Sequence, residues 1–258
     1  MLKLGIVTYQ IAQDWDLETI IKKCSELGYE GVELRTTHAH KVEVNLSEEE
    51  RKEVKKKFAD SPVKLVGLGS AFEYHSPDKE ELKKNIEGTK EYIKLASDVG
   101  AAGVKVRPNA FPQELSKEKT IEQIGSSLRE VSSFASNYGI KIRLEVHGEE
   151  TSLPPYIKKM LDVANHHNLY ACWNSNNFSP TMTDMDKNGS IEDNFNLLKE
   201  RIGLVHINEL WNEYPWKKLF FLLKDSGYDG FCLAEIPTNP EPERLLRYYH
   251  ALFKAYSE

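Results

Sequence analysis

The run IKIRLEVH carries Lys141, Arg143, Glu145 and His147 at alternate positions between Ile140, Ile142, Leu144 and Val146. Alternate residues of a β-strand face opposite sides, so the apolar set packs on one layer and the charged set projects into another. The same alternation in GVELR, GVKVR, YACWN, LVHIN and LAEI puts Glu33 and Arg35, Lys105 and Arg107, Asn174, His206 and Asn208, and Glu235 on that inward side. Carboxylates gathered this way can transfer protons once burial and like charge bring their pKa values toward neutrality. Lysines and arginines among them can bind a carboxylate or phosphate, or stabilise negative charge as it develops. The alternative is a set of structural ion pairs, for instance Glu33 with Arg143, but burying so many charges without a use would be costly.

The elements that must hold these residues repeat along the chain. Eight short apolar or β-branched runs are read as strands: 4–9, 31–35, 64–69, 103–107, 141–147, 169–174, 204–208 and 230–236. Between them lie amphipathic segments such as LETIIKKCSEL, KNIEGTKEYIKLASDV, IGSSLREVSSFASNY and WKKLFFLLKDS, whose apolar residues recur at helical spacing. The junctions LGYEGVEL, VGAAGVKV and SGYDGFCL each carry two glycines three apart, as expected where a helix ends on glycine and turns directly into a strand. About eight βα units in 258 residues fit a closed (β/α)8 barrel, one TIM-barrel domain over residues 1–258, better than an open doubly wound sheet. A doubly wound sheet would also want a glycine-rich turn after the first strand, and VTYQIAQDW has none. In such barrels the polar residues at the C-terminal strand ends form the active site.

Composition narrows the partners. A net charge of -6 argues against nucleic acid, which is gripped through surplus Lys and Arg, and against an anionic membrane surface. No apolar run reaches the roughly 20 residues of a spanning helix. Cys24, Cys172 and Cys232 fall inside expected elements and form no close pair, so a reducing cytoplasm is the expected compartment, with a trimmed leader ahead of Met1 left open. The oligomeric state is also left open, a homo-oligomer included.

GYEGVELR near the start, LEVH at strand five, LVHINE at strand seven and LAE at strand eight resemble the sugar phosphate isomerase/epimerase family, the xylose isomerase-like barrels. The resemblance runs over nearly the whole chain. It implies a small sugar substrate and a divalent metal (Mn2+, Mg2+ or Zn2+) held by Glu145, His206 and Glu235, with the fourth position falling on Asn174 where the family has Asp. Relatives often place a substrate-contacting His three residues further on, where this chain has Asn177. An amide in place of a carboxylate removes one negative charge, so the metal site is expected to be weakened. By the same resemblance Glu145 and Glu235 are the acid/base pair, moving a proton through an enediolate, and His206 is a ligand or oxyanion donor. Glu33, Arg35, Lys105, Arg107, His147, Asn177 and Trp211 are the expected substrate contacts. Inward Lys105 and Arg107 suggest an acidic or phosphorylated sugar. A lyase or dehydratase acting on a sugar or inositol-like compound shares the enolate step, and a sugar-binding barrel without catalysis is a third reading. An endonuclease IV-like repair enzyme would need more His and Asp ligands and a basic surface.

The loops give weaker signals. Trp211, Tyr214 and Trp216 after strand seven offer either an aromatic face to a sugar or packing at a helix start. His38 and His40 in THAHK follow strand two and lack a third metal partner. The segment SPTMTDMDKNGS has the length of a lid or of a simple mobile loop. The Lys/Glu run from Glu48 to Lys57 reads as the solvated face of a helix.

Overall fold

The computed structural model describes residues 1–175 and 190–258. Among the described residues eight strands alternate with eight α-helices: β1 (Lys3–Val7), α1 (Leu17–Leu27), β2 (Gly31–Arg35), α2 (Glu48–Ala59), β3 (Lys64–Glu73), α3 (Lys79–Val99), β4 (Gly103–Arg107), α4 (Lys117–Ser136), β5 (Lys141–Glu145), α5 (Pro154–Ala164), β6 (Leu169–Asn174), α6 (Ile191–Leu198), β7 (Ile202–Ile207), α7 (Trp216–Asp225), β8 (Phe231–Ala234) and α8 (Pro242–Ser257). Every strand pairs in parallel with the next, and β1 closes on β8, giving a single (β/α)8 TIM barrel. Among the described residues no helix is long and apolar enough to cross a membrane.

Local chemistry sets the units. Helix α1 starts where the Asp16 carboxylate accepts the Thr19 amide at 2.8 Å, and α2 starts in a reciprocal capping box between Ser47 and Glu50. The first glycine of each repeated junction, Gly28, Gly100 and Gly227, has φ of 77°, 79° and 78°. This left-handed turn favours glycine and lets the chain leave the helix for the next strand without a linker. Strand β3 runs four residues past the expected Gly69 to Glu73, whereas β5 and β8 stop at Glu145 and Ala234, short of His147 and Ile236. Their last polar residues therefore sit on the loops just above the sheet.

Two apolar layers flank the strands. Outward residues such as Ile142, Leu144, Ala171, Trp173 and Val205 join the helices in the main core, while Val7, Val66, Cys172, Leu204 and Leu233 form a separate cluster inside the barrel. Two residues beyond Cys172, Leu204 and Leu233 come Asn174, His206 and Glu235. The barrel interior thus changes from apolar to polar in one side-chain layer toward the C-terminal ends, where the catalytic groups of this architecture are carried. Glycines on β3 make room for charge: a Cβ on Gly67 would lie 2.9 Å from the Arg143 guanidinium, and one on Gly69 would lie 2.8 Å from Glu33 Oε1.

Candidate functional site

Alternation along β4 to β8 brings Lys105, Glu145, Asn174, His206 and Glu235 together. The ligand-type atoms of Glu145, His206 and Glu235 all lie within 4.8 Å of one another. Lys105 Nζ donates to Glu145 Oε2 at 2.7 Å, and Asn174 Nδ2 donates to both Glu145 Oε1 (2.9 Å) and Glu235 Oε2 (3.0 Å). His206 lies between carboxylates, with Nε2 3.3 Å from Glu33 Oε1 and Nδ1 3.3 Å from Glu145 Oε1.

Burial alone would suppress these charges, yet the mutual attraction is stronger. Burial opposes ionisation of Glu145, but Lys105 and His206 hold its carboxyl well below the usual carboxylate range. Glu33 is likewise lowered against burial by His206, Lys105 and Arg143. For His206, burial works against the proton while Cys172, Glu33 and Glu235 raise the ring well above its ordinary value. Burial pushes the Cys172 thiol up, leaving it uncharged, so the attraction that matters for His206 is that of the carboxylates. Lys105 is raised by Glu145 and Glu33 beyond what burial takes away. At His147 the balance reverses: burial lowers the ring more than Glu145 raises it, which favours a neutral imidazole.

Above this network an open cavity of about 350 Å³ is lined by Tyr9, Gln10, His147, Asn208, Glu235, Ile236 and Pro237. Glu235 belongs to both the network and the cavity wall, and its side chain is 15% exposed. Glu145 is 1% exposed and is not part of the wall. Asn208 ties β7 to β8 by donating its side-chain amide to the Glu235 carbonyl at 3.0 Å.

Several sequence expectations change. Among the described residues two of the inward cations are already paired, Lys105 with Glu145 and Arg107 with Glu73, and Arg143 is close enough to Glu33 to lower its pKa. The Glu33–Arg143 ion pair, named above as the structural alternative, is not closed, since the Arg143 guanidinium donates to the Val66 carbonyl at 2.9 Å and His206 is the side chain against Glu33. Lys141, grouped by alternation with the inward residues, is exposed at the start of β5 with its ammonium 5.1 Å from the Tyr170 ring centre. Arg35 lies at the rim, donating to the Thr36 carbonyl and lying 5.9 Å from the Tyr9 ring centre. Trp211 is 73% exposed and donates to Glu209, outside the cavity, whereas Tyr214 and Trp216 pack at the start of α7. His40 spends both ring nitrogens on backbone groups, and His38 bonds the Thr8 hydroxyl. Asn177 and most of SPTMTDMDKNGS, as far as residue 189, lie outside the described residues.

Tyr9, Gln10 and Glu73 were not foreseen as site residues. The first two sit just beyond β1, where alternation no longer fixes direction, and Glu73 lies on the unexpected extension of β3. Glu73 holds Arg107 and accepts the Asn109 amide at 2.8 Å.

The described residues offer a divalent ion a triad, Glu145, His206 and Glu235, but the fit is poor. Both oxygens of Glu145 and one of Glu235 already accept from Lys105 or Asn174. The Asn174 oxygen is buried without a hydrogen-bond partner, and the amide turns its nitrogen to the two carboxylates, because the reverse orientation would set the oxygen against two carboxylate oxygens.

A family model described as the xylose isomerase-like TIM barrel matches residues 21–256. Similar solved structures include the 3-keto-D-glucoside 4-epimerase YcjR from E. coli in its apo form (TM-score 0.81, 14% identity, covering 99% of this chain and 100% of that one). D-psicose 3-epimerase with D-tagatose from Clostridium cellulolyticum H10 gives a TM-score of 0.81 at 16% identity, with 100% of each chain covered. The IolI protein with a binding zinc atom gives 0.78 at 17%, with 99% and 96% covered. At these identities the likeness is one of fold.

Proposed function

Because the chain belongs to the xylose isomerase-like TIM barrel family, we propose that it is a sugar isomerase or epimerase in which Glu235 moves a proton on the carbon beside the substrate carbonyl. The observation that carries this reading is the position of Glu235, which among the described residues is the one carboxylate that joins the buried charge network to the cavity wall. Removal of the proton leaves an enediolate; its return by Glu235 to the neighbouring carbon gives the isomer, and protonation of the other face by solvent in the open cavity gives the epimer. Structural relatives that are epimerases of keto sugars lend the substrate class. His147, uncharged and at the cavity wall, is suited to donate to the oxygen where charge develops. Tyr9 and Gln10 supply polar groups for sugar hydroxyls. Glu145 is assigned a different part from the one the resemblance implied. Buried and held ionised, it positions Lys105 and Asn174 beneath Glu235 and does not itself meet the substrate.

With Lys105 and Arg107 already paired, the proposed substrate is an uncharged ketose or aldose. A panel of free sugars, uronates and sugar phosphates, read by thermal shift and by chromatography of the products, tests this. Uncharged members should raise the unfolding temperature most and be interconverted, because binding to the folded state alone stabilises it. Stronger protection by the phosphates or uronates would reject the uncharged substrate, and no interconversion of any sugar that binds would reject the reaction.

A further inference from the structure

We propose that Lys105 and Asn174 together take the place of a divalent cation, holding the Glu145 and Glu235 carboxylates in position so that the site is assembled without metal. A metal ion between two carboxylates does two things: it offsets their charge and fixes their separation. Here the same two tasks fall to protein groups. The Asn174 amide nitrogen sits 2.9 Å from Glu145 Oε1 and 3.0 Å from Glu235 Oε2, so one NH2 group spans the pair. The charge is supplied by Lys105, 5% exposed, whose ammonium is 2.7 Å from the second oxygen of Glu145. Arg143, 4% exposed on the same strand as Glu145, adds a permanent charge below.

A divalent ion entering this arrangement would have to expel both donors. Asn174 would need to turn its amide over, losing two hydrogen bonds to carboxylates, and Lys105, 5% exposed, would need to give up its ion pair with Glu145. Each step is costly for a buried charged or polar group. The incoming +2 would also face two carboxylates and a ring in place of the three carboxylates and ring that an Asp at position 174 would complete, which weakens binding of a hard cation. Lys105 and Asn174 reinforce each other because they act on opposite oxygens of one carboxylate.

The inference concerns what holds the site together, and it rests on the proposed reaction only in taking Glu235 as the reacting group. Its test therefore reads metal, not turnover. The purified wild type, treated with chelator, is titrated with Mn2+ by calorimetry, its metal content is measured as isolated, and its unfolding temperature is recorded with and without chelator. The wild type should carry well under one metal per chain, and chelator should leave its unfolding temperature unchanged. Asn174→Asp should bind Mn2+ on the order of tenfold more tightly than wild type, and Lys105→Met/Asn174→Asp more tightly again, by on the order of a hundredfold in all. Stoichiometric metal in the wild type, or a drop in its unfolding temperature on chelation, would overturn the proposal even if the variants fail to fold. A folded double variant that binds Mn2+ no better than wild type would overturn it too. Absence of turnover in a metal-free, folded wild type would count against the reaction and leave this inference standing.

Discussion

Glu235→Gln is expected to lower turnover by about a hundredfold or more, the usual range for removal of a positioned proton-transfer group. The substitution keeps the size of the side chain and leaves an amide oxygen for Asn174 to bond in place of Glu235 Oε2. It takes away only the capacity to accept a proton. Because the side chain is partly exposed at the cavity wall, no charge is stranded in the barrel and the unfolding temperature should stay close to that of wild type. Steady-state kinetics on the best sugar of the panel, beside thermal unfolding of both proteins, separates the two effects. Turnover within a few fold of wild type would remove Glu235 from the reaction.

The second large effect is expected in stability. Lys105 and Glu145 form an ion pair that is 6% and 2% exposed in its side chains. Removing one partner of such a pair leaves a buried charge uncompensated, at a cost of about 3–5 kcal/mol, whereas replacing both with neutral groups of similar volume is often close to neutral. Lys105→Met and Glu145→Gln should therefore each destabilise by about that amount, and the double variant by clearly less than their sum. Denaturant unfolding of the four proteins gives the coupling energy directly. Strict additivity would mean that Lys105 and Glu145 do not stabilise one another, and would weaken the part given to Lys105 in holding the site.

The fold was legible because its signals are local and repeated. Apolar spacing marked α1 from Leu17 to Leu27, and the glycine pairs at Gly28 and Gly31 or Gly100 and Gly103 marked the turn from helix to strand. Strand alternation was sufficient to bring Glu145, Asn174, His206 and Glu235 to one place, since in a closed barrel a shared inward face leaves little freedom of position. Alternation carries no information on depth or partner, and this is where the reading of the site departed from the structure. Lys105 and Arg107 were legible as inward cations, but their carboxylate partners depend on how far each side chain reaches and, for Arg107, on the extension of β3 to Glu73. The difference between Glu145 and Glu235 is likewise one of depth: Glu145 ends β5 inside the barrel, whereas Glu235 lies one residue past β8 and meets the cavity. Trp211 lies outside the cavity with its ring in solvent, a direction that could not be read because aromatic loop residues have no periodicity to fix it.

Proton transfer at Glu235 is tested most directly with a sugar that raises the unfolding temperature and carries deuterium on the carbon beside its carbonyl. Incubated with the wild type in ordinary water and followed by NMR, that carbon should lose its deuterium, to solvent or to the neighbouring carbon, and with Glu235→Gln the loss should be about a hundredfold slower. Deuterium retained on that carbon by saturated wild-type protein, or lost equally fast with the variant, would contradict proton transfer by Glu235.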